Sequence, residues 1–447
     1  MSSLTPVFSD RVRLLNDAPL RPDRQFVLYR IRVNRRAESN HALAYAVDLA
    51  NELRLPVLCY DQLVDQHPYA NDRFHRFLWE GVAETKKRLE KLGIGFVFHR
   101  ERRFRDYAPH AAAIVTDDWP LAMRQPCRTD VACYAVDSSC IVPMNRMEKR
   151  EFGAYTIRPK IHRMLAEYLV PVAPIRVRRR YSEPPQPLPD FDVSACRIDH
   201  TVAPSIDFRG GRLEAERRLK HFLTKNLRRY AREKNEPSAH ATSDLSPYLH
   251  FGYISSLEVA LAARDYARRH KLIADEFLEE LIVRRELAFN FARFTDRMDT
   301  LDALPDWARK TLRKHARDRR DPVYTREEFV GANTHDPLWN ATQKEMLARG
   351  KIHGYYRMYW GKKIIEWSAA HDEALATMIH IHDRYALDGR DPNTYANILW
   401  CFGLHDRPFA ERPIFGQVRY MGLEGMRRKT DVDAYVREID TMGGITP

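Results

Sequence analysis

Short apolar segments alternate with amphipathic segments through the first third of the chain. Strands that alternate with helices pair in parallel, and helices cover both faces of the resulting sheet. The pattern therefore predicts a Rossmann-like α/β domain with a parallel sheet over residues 25–170. No GxGxxG follows a predicted strand, so a dinucleotide bound in the Rossmann manner is not expected. The predicted strands are 26–29, 56–60, 95–99, 113–117 and 132–136, and the helices among them lie near 39–54 and 72–92.

Six prolines and four arginines interrupt this alternation over residues 171–191. Such proline density disfavours both helix and sheet, so we predict an extended linker over residues 171–211. Strand signals fade beyond it. We predict an all-α domain over residues 212–447 and an N-terminal extension over residues 1–24. The helical patterns run through 212–233, 247–270, 275–297, 340–350, 353–370 and 373–385.

Charge and cysteine usage narrow the class of protein. The 447 residues carry a formal charge of +12, which favours a polyanionic partner because lysine and arginine release the counterions condensed on phosphates. A solvated basic surface is the alternative. The six cysteines form no CxxC pair and no histidine cluster accompanies them, so we expect neither a metal site nor a disulfide framework. With no leader-like N-terminus and no long apolar run, we expect a monomeric, cytoplasmic protein without a membrane span.

Three tryptophans are candidates for electron transfer. Trp360 and Trp367 are seven residues apart in RMYWGKKIIEW, so on a helix they share one face about 10 Å apart along the axis. Trp339 precedes them in DPLWN. Indoles at such separations can pass an electron, but large aromatic residues at helical spacing also form ordinary cores. Spacing alone leaves both interpretations open.

Two polar segments are candidates for binding an anion or a cofactor. In TSDLSPY, Ser246 is suited to an N-cap and Pro247 to the first helical position, where free N–H groups bind anions. A capped helix without a ligand has the same pattern. In LDGRDPNTY, Asp388 and Asn393 stand directly before an apolar helix, and a turn alone does not require so many hydrogen-bonding side chains.

Glu280 is a candidate functional carboxylate. On a helical projection of DEFLEELIVRRELAFNF, Glu280 falls on an apolar arc with Val283 and Leu287. Glu286 and Asn290 fall with Glu279 on a narrow polar strip. An acid on an apolar face is costly unless it has a partner. The alternative is a position at the rim, where the helix meets solvent.

The segment 411–432 mixes aromatic residues with cations, a combination suited to a nucleic-acid backbone. A solvated basic tail is the alternative. The cations are Arg412, Arg419, Arg427, Arg428 and Lys429.

Several motifs in the same order resemble the class II cyclobutane pyrimidine dimer photolyases. They are SDLSPYLHFG, EELIVRREL, THDPLWN, GKIHGYYRMYWGKKIIEW, LDGRDPNTY and HDRPFAERPIFGQVRYM, and the similarity covers most of residues 25–435. The resemblance implies the photolyase/cryptochrome architecture, in which an all-α domain holds a U-shaped FAD. It also implies light-driven repair of DNA, in which reduced, anionic FAD lends an electron to a pyrimidine dimer flipped out of the duplex.

The resemblance also implies roles for individual residues. Glu280, in its protonated form, would hydrogen-bond the damaged bases, Met358 would contact the dimer, and Asn393 would tune the flavin. Trp360, Trp367 and Trp339 would reduce the photoexcited flavin. The residues implied to contact FAD are Tyr230, Thr242, Ser243, Asp244, Leu245, Ser246, Arg357, Asp388 and Asn393.

The chain departs from the family pattern near the substrate and the antenna. Lys234 and Asn235 stand where the family has Arg-Asn, and Phe409 stands where a tryptophan commonly packs on the dimer. With Arg419, Arg427, Arg428 and Lys429, these are the predicted DNA contacts. The N-terminal stretch YRIRVNRRAESNHALAYA is also unusual, so an antenna chromophore of the deazaflavin or folate type stays open. The alternative function is a cryptochrome-like photoreceptor that photoreduces flavin without repair.

Overall fold

The computed structural model describes residues 9–101, 103–121 and 127–442. Six strands form one sheet in the order β1-β6-β5-β2-β3-β4. Every neighbouring pair is parallel except β1 and β6, which are antiparallel. The strands are β1 Val12–Leu14, β2 Phe26–Arg30, β3 Val57–Gln62, β4 Gly95–His99, β5 Ala111–Asp117 and β6 Cys133–Val136.

The five predicted strands and the parallel sheet are confirmed. Their apolar runs are buried on both faces, as expected for a sheet covered by helices. β1 is an additional strand within the segment 1–24. It is anchored by Arg11, whose buried guanidinium donates to the carbonyl oxygens of Asp137, Cys140 and Ile141 at 3.1, 2.9 and 2.6 Å. Residues 1–8 of that segment lie outside the described residues.

The helices of the first half begin and end at clear capping residues. Asn40 and Asn71 cap two long helices by accepting from Leu43 N and Phe74 N. Gly93, with a φ of 84°, ends the second one. The helices are α1 His41–Leu53, α2 Asp72–Leu92, α3 Phe104–Tyr107 and α4 Ala154–Tyr168.

The second half is helical throughout its described part, as predicted. π-helical turns at Phe222–Asn226 and Glu279–Arg284 interrupt two of the helical runs. The helices are α5 Arg212–His221, α6 Leu227–Glu233, α7 Ser246–His250, α8 Ser256–His270, α9 Asp275–Leu278, α10 Arg285–Arg293, α11 Asp306–Lys314, α12 Arg326–Val330, α13 Pro337–Arg349, α14 Gly354–Trp367, α15 His371–Tyr385, α16 Pro392–Cys401, α17 Leu423–Arg427 and α18 Val432–Thr441.

The predicted continuous helix over 247–270 is wrong, because the chain breaks between α7 and α8 at Gly252. Gly252 has a φ of 73°, and a Cβ placed on it would lie 2.1 Å from the carbonyl oxygen of Val33 in the α/β domain. Only glycine permits this left-handed conformation together with so close an approach of two backbones. The break therefore brings α7 against the first domain.

One disulfide joins Cys127 to Cys133, with Cα atoms 6.5 Å apart. The cysteine spacing did not predict it. The loop between the two cysteines folds around Asn16, whose side-chain amide donates to the carbonyl oxygen of Val131 at 2.9 Å and accepts from Cys133 N at 2.9 Å. The pairing thus depends on a contact from a distant segment. Across the described residues, no helix combines the length and the apolar character needed to span a membrane.

Candidate active site

Two adjoining cavities lie among the helices of the second half. The larger has a volume of about 510 Å³ and the smaller about 280 Å³. Together they reach the size range of cofactor pockets. Tyr230, Glu280, Gly354, Arg357, Thr394 and Asn397 line both of them.

Asp388 organises the smaller cavity. Its carboxylate accepts from Ser246 Oγ at 2.7 Å, and Arg357 Nη2 lies 3.2 Å from each of its oxygens. Burial alone would raise the pKa of Asp388, but the guanidinium of Arg357 holds it well below its usual range. Three residues from distant motifs therefore meet, and their contact with FAD stays a prediction.

The segment 242–246 differs in detail from the sequence prediction. Ser246 is the first residue of α7 and Leu245 occupies the N-cap, so the predicted Ser246 cap is wrong. The Ser246 hydroxyl instead donates a hydrogen bond to Asp388. Thr242 and Ser243 line the cavities. Leu245 lies in the core, at 1% exposure.

Asp244 does not line either of these two cavities, but it pairs with Lys351 on the wall of the smaller one. Lys351 Nζ donates to Asp244 Oδ1 at 2.7 Å, and Thr242 Oγ1 donates to the same oxygen at 3.3 Å. Burial by itself would raise the pKa of Asp244, but the ammonium of Lys351 brings it down to about 2. The carboxylate thus stays charged and fixes the loop beside the cavities.

Asn393 lines the smaller cavity at the start of α16. Asp391 caps this helix and accepts from both Asn393 N and Asn393 Nδ2, at 2.9 and 2.8 Å. His250 Nδ1 lies 3.1 Å from the second oxygen of Asp391. These contacts hold the Asn393 amide in one orientation, which suits a residue that must face a flat ligand.

Three residues of the larger cavity carry buried polar atoms that have no hydrogen-bond partner among the described residues. They are His353 Nε2, Arg357 Nε and His382 Nδ1. Burial lowers the pKa of both imidazoles to about 3, so the rings are neutral. Buried polar groups without partners are costly and point to a ligand that satisfies them. The cavities therefore fit a large ligand with many acceptors and donors, as FAD is.

The three tryptophans form a contiguous series that begins at the cavity wall. Trp360 lines the larger cavity. Trp339 stacks on it with ring centroids 6.4 Å apart and planes at 7°. Trp367 meets Trp339 edge-on, also at 6.4 Å. Trp339 is thus the middle member, and all three side chains are buried.

Hydrogen bonds fix two of these rings. Trp339 Nε1 donates to the carbonyl oxygen of Trp360 at 2.9 Å, and Trp360 Nε1 donates to Gln343 Oε1 at 3.0 Å. At its far end, Trp367 contacts His335 and Tyr324 with ring centroids 4.8 and 5.8 Å apart.

Glu280 lies at the rim rather than on an apolar arc. It lines both cavities, its side chain is 46% exposed, and Lys234 Nζ lies 3.4 Å from its Oε1. The predicted polar strip is present. Glu279 on it pairs with Arg158 of α4, and Glu286 and Asn290 are buried against the α/β domain. The π-helical turn shifts the angular register that a regular helix would have.

Glu286 and Asn290 bind backbone of the α/β domain. Glu286 Oε1 accepts from Ile141 N at 2.6 Å and from Val142 N at 3.3 Å, and Asn290 Oδ1 accepts from Glu151 N at 2.7 Å. Burial raises the pKa of Glu286 to about 8. These side chains join the two domains, a role that a helical projection cannot reveal.

Some of the predicted DNA-contacting residues line the larger cavity, and others do not. Asn235 and Lys234 line it, and Met358 lies on its wall. Phe409 lies between Arg419 and Arg407, whose guanidinium carbons are 4.5 and 5.4 Å from its ring centroid. Its stacking on a dimer stays a prediction.

The basic residues of the C-terminal segment lie beyond the cavity lining. Arg419 pairs with Asp406 at 3.1 Å, and Arg427 lies 3.5 Å from Asp433. Arg428 and Lys429 are exposed. Their contact with DNA stays a prediction.

Trp400 was missed by the sequence analysis. It is a half-buried indole on the wall of the larger cavity, near the end of α16. It stands in the apolar run ANILWCFGL, where only the three-dimensional structure distinguishes it from a core residue.

Asp65, His75 and Cys196 form a group of potential metal ligands within 4.8 Å of one another, which the cysteine pattern did not suggest. His75 Nε2 lies 2.9 Å from Asp65 Oδ1. Arg100 Nη2 donates to Cys196 Sγ at 2.9 Å. That guanidinium places a positive charge at the sulfur and opposes binding of a cation, so we assign the group to hydrogen bonding between the linker and the α/β domain.

Comparison with known proteins agrees with this fold and site. The sequence model of the DNA photolyase family matches residues 27–178. The deoxyribodipyrimidine photo-lyase of Methanothermobacter thermautotrophicus is 40% identical over 97% of this chain and 98% of its own length. The enzyme of that name from Arabidopsis thaliana is 36% identical over the whole chain and 96% of its own length. The chain therefore belongs to the DNA photolyase family.

Solved structures with lower identity share the fold. A Synechocystis cryptochrome superposes with a TM-score of 0.70 at 16% identity, covering 94% of this chain and 89% of its own. A class III photolyase from Agrobacterium tumefaciens has a TM-score of 0.69 at 20% identity, covering 98% of this chain and 88% of its own. The predicted architecture, an α/β sheet domain followed by a helical domain, is confirmed.

Proposed function

We propose that this protein is a class II photolyase that repairs cyclobutane pyrimidine dimers in DNA with light, using reduced, anionic FAD. The observation that carries the proposal is that a single cavity is lined both by a candidate electron-transfer tryptophan and by candidate substrate-contacting residues. Trp360, the first of three contiguous tryptophans, lies on it, and so do Glu280 and Met358, which the family resemblance assigns to the dimer. The photo-lyase names of the relatives also favour repair.

The residues of the chain suggest how FAD is held. Asp388, Arg357 and Ser246 form the charged, hydrogen-bonded end of the smaller cavity, and Asn393 is oriented by Asp391. The unpartnered nitrogens of His353 and His382 supply further polar contacts. When bound, reduced FAD supplies the light-excited electron donor.

The remaining residues move electrons and position the substrate. The buried tryptophans carry electrons toward the cavity, because their rings are in series and shielded from water. Glu280 and Lys234 at the rim meet the damaged bases, and Met358 and Trp400 provide apolar wall for a flipped-out dimer. A damaged pair costs less to extrude than an intact one, which contributes to selectivity.

The test is repair under illumination. The reduced protein is mixed with an oligonucleotide that contains one thymine dimer, and recovery of intact thymines is followed by chromatography. We expect recovery in light and none in the dark. A protein that binds and reduces FAD yet restores no thymines in light would contradict the proposal.

The Lys234–Glu280 contact favours a second candidate, a cryptochrome-like photoreceptor. Lys234 Nζ lies 3.4 Å from Glu280 Oε1, so this carboxyl group already has a partner within the protein. A photoreceptor would show photoreduction without repair. The same assay separates the two functions.

We propose that an antenna chromophore of the deazaflavin or folate type occupies a separate cavity of about 560 Å³, which the α/β domain lines together with His250, Phe251 and Arg390 of the helical half. It lies at the carboxyl ends of β2 and β3, where open α/β sheets bind ligands, and Arg32 and Trp119 line it. To test this assignment, the protein is reconstituted with each chromophore and the rate of repair is measured as a function of the wavelength of illumination. An excitation spectrum that shows FAD alone after both reconstitutions would contradict it.

A further inference from the structure

Two exposed aromatic side chains stand at the junction of the two domains. Tyr155 is 64% exposed and Phe152 is 45% exposed. Their ring centroids are 5.9 Å apart. Large aromatic residues grouped on a surface commonly mark an interaction site. We call Phe152 and Tyr155 the aromatic pair.

The aromatic pair is held firmly against the helical domain. His405 Nδ1 lies 2.7 Å from the carbonyl oxygen of Phe152. Burial lowers the pKa of His405 to about 4, so the neutral ring donates this hydrogen bond. The neighbouring Gly153 occupies the N-cap of α4 and is buried. The aromatic pair is thus part of a rigid surface.

A short chain of contacts connects the aromatic pair to the rim of the larger cavity. Arg158 follows Tyr155 by one turn on α4 and therefore lies beside it. Its Nε and Nη2 donate to the two oxygens of Glu279 at 3.0 and 2.7 Å. Glu279 precedes Glu280, which lines the cavity. This ion pair therefore joins α4, which carries Tyr155, to the helical segment that carries Glu280. On the other side, His405, which binds Phe152, follows Cys401 of the cavity wall by four residues.

Positive charge surrounds the aromatic pair. Arg150 precedes Phe152 by two residues, and Arg284 shares Glu279 with Arg158. Arg284 is 46% exposed, and Arg158 is 36% exposed. The acid between them, Glu279, is shared by two arginines. The surface therefore suits a partner with negative charge.

We propose that Phe152 and Tyr155 form a stacking platform for an unpaired base of the DNA beside the extruded dimer. This proposal rests on the proposed function. Extruding a dimer leaves neighbouring and opposite bases without their normal stacking partners. Aromatic faces beside cations bind such bases, because each base offers a flat ring and its phosphate offers charge.

The experiment compares the double variant Phe152→Ala/Tyr155→Ala with the wild-type protein containing FAD. The DNA is a duplex with one thymine dimer and the fluorescent base 2-aminopurine, placed in turn beside and opposite the dimer. We expect the double variant to bind this duplex roughly tenfold more weakly, since stacking on one base contributes about that factor or more. We also expect a smaller fluorescence change at one of the two positions.

The controls separate stacking from general damage. Tyr155→Phe keeps an aromatic face and should retain wild-type affinity. Leu213→Ala removes an apolar side chain with 59% exposure elsewhere on the surface and should change nothing. FAD content, photoreduction and repair at saturating DNA should match wild type in every variant, so that the effect falls on KM and not on kcat.

Unchanged affinity of the double variant would overturn the platform. So would equal weakening for undamaged duplex, or a changed oligomeric state with unchanged DNA affinity, which would assign the surface to a contact between copies of the chain. Absence of repair by the wild-type protein would instead contradict the proposed function. Wild-type repair together with an unaffected double variant would contradict only the proposed stacking platform.

Discussion

Replacing Trp339 by phenylalanine tests the electron path most directly. Trp339 lies 6.4 Å from both Trp360 and Trp367. Without it, one step must span the direct separation of Trp360 and Trp367, which is about 10 Å along α14 for seven residues at 1.5 Å rise. Electron tunnelling weakens steeply with distance, and phenylalanine is much harder to oxidise than tryptophan. We therefore expect photoreduction of FAD in Trp339→Phe to slow strongly.

The stability cost of Trp339→Phe follows from the structure as well. The change removes the hydrogen bond from Trp339 Nε1 to the Trp360 carbonyl oxygen and part of a fully buried ring. Truncation to alanine would cost about 3–5 kcal/mol, so we expect a loss of roughly 1–3 kcal/mol for phenylalanine. The variant should fold, bind FAD and repair dimers once it has been reduced chemically.

The assay is the loss of the oxidised-flavin absorbance band under blue light in the presence of an external reductant. Trp79→Phe is the matched control, because Trp79 stacks on Phe191 at 4.6 Å in the first half of the chain, away from the three tryptophans. It should lose stability without any change in photoreduction. Photoreduction at the wild-type rate in a folded Trp339→Phe protein would refute the proposed path.

Three further changes test the cavity and the domain interface. Asp388→Asn should lower the free energy of unfolding by about 3–5 kcal/mol, because it leaves the Arg357 guanidinium without its carboxylate. It should also lower FAD occupancy. Thermal melting measures the loss of stability, and FAD absorbance measures the occupancy. Glu280→Ala should reduce the yield of repaired thymines while photoreduction persists. Glu286 should make unfolding depend on pH, because between its unfolded pKa near 4.5 and its folded pKa of about 8 only the folded state holds the proton. The free energy of unfolding should therefore fall with rising pH in this window, by up to about 1.4 kcal/mol per unit, and Glu286→Gln should abolish that fall in denaturant titrations.

Each of these has a matched control. Asp372→Asn changes an exposed aspartate of α15 and should leave FAD occupancy intact. Glu276→Ala removes the other acid that pairs with Lys234, and Glu276 does not line the two cavities. A repair defect equal to that of Glu280→Ala would therefore contradict a direct role for Glu280. A pH dependence that survives in Glu286→Gln would show that other groups cause it.

Local patterns were sufficient for the architecture. The five predicted strands are continuous apolar runs, and such runs are buried on both faces wherever they pair. The motif around Asp388 indicated a polar site because it placed more hydrogen-bonding groups than a turn needs, whereas the motif around Ser246 had the same pattern as a capped helix without a ligand. The structure brings these two residues to 2.7 Å of each other. The strands and the polar motifs depend on neighbours within a few residues, which the sequence shows directly, whereas the contact between Ser246 and Asp388 joins residues 142 positions apart.

Contacts between distant segments decided the rest. The order Trp360, Trp339, Trp367 depends on α13 packing against α14, and spacing along one helix could not place Trp339 between the other two. Glu286 and Asn290 fall on a polar strip of their helix, and only the structure shows that backbone of the first domain buries them. The position of Trp400 on the cavity wall likewise depends on how the helices pack. The chain's periodicity determined which elements form, whereas burial, register and partners were set only when those elements packed, since free energies of desolvation and hydrogen bonding depend on what lies opposite each side chain.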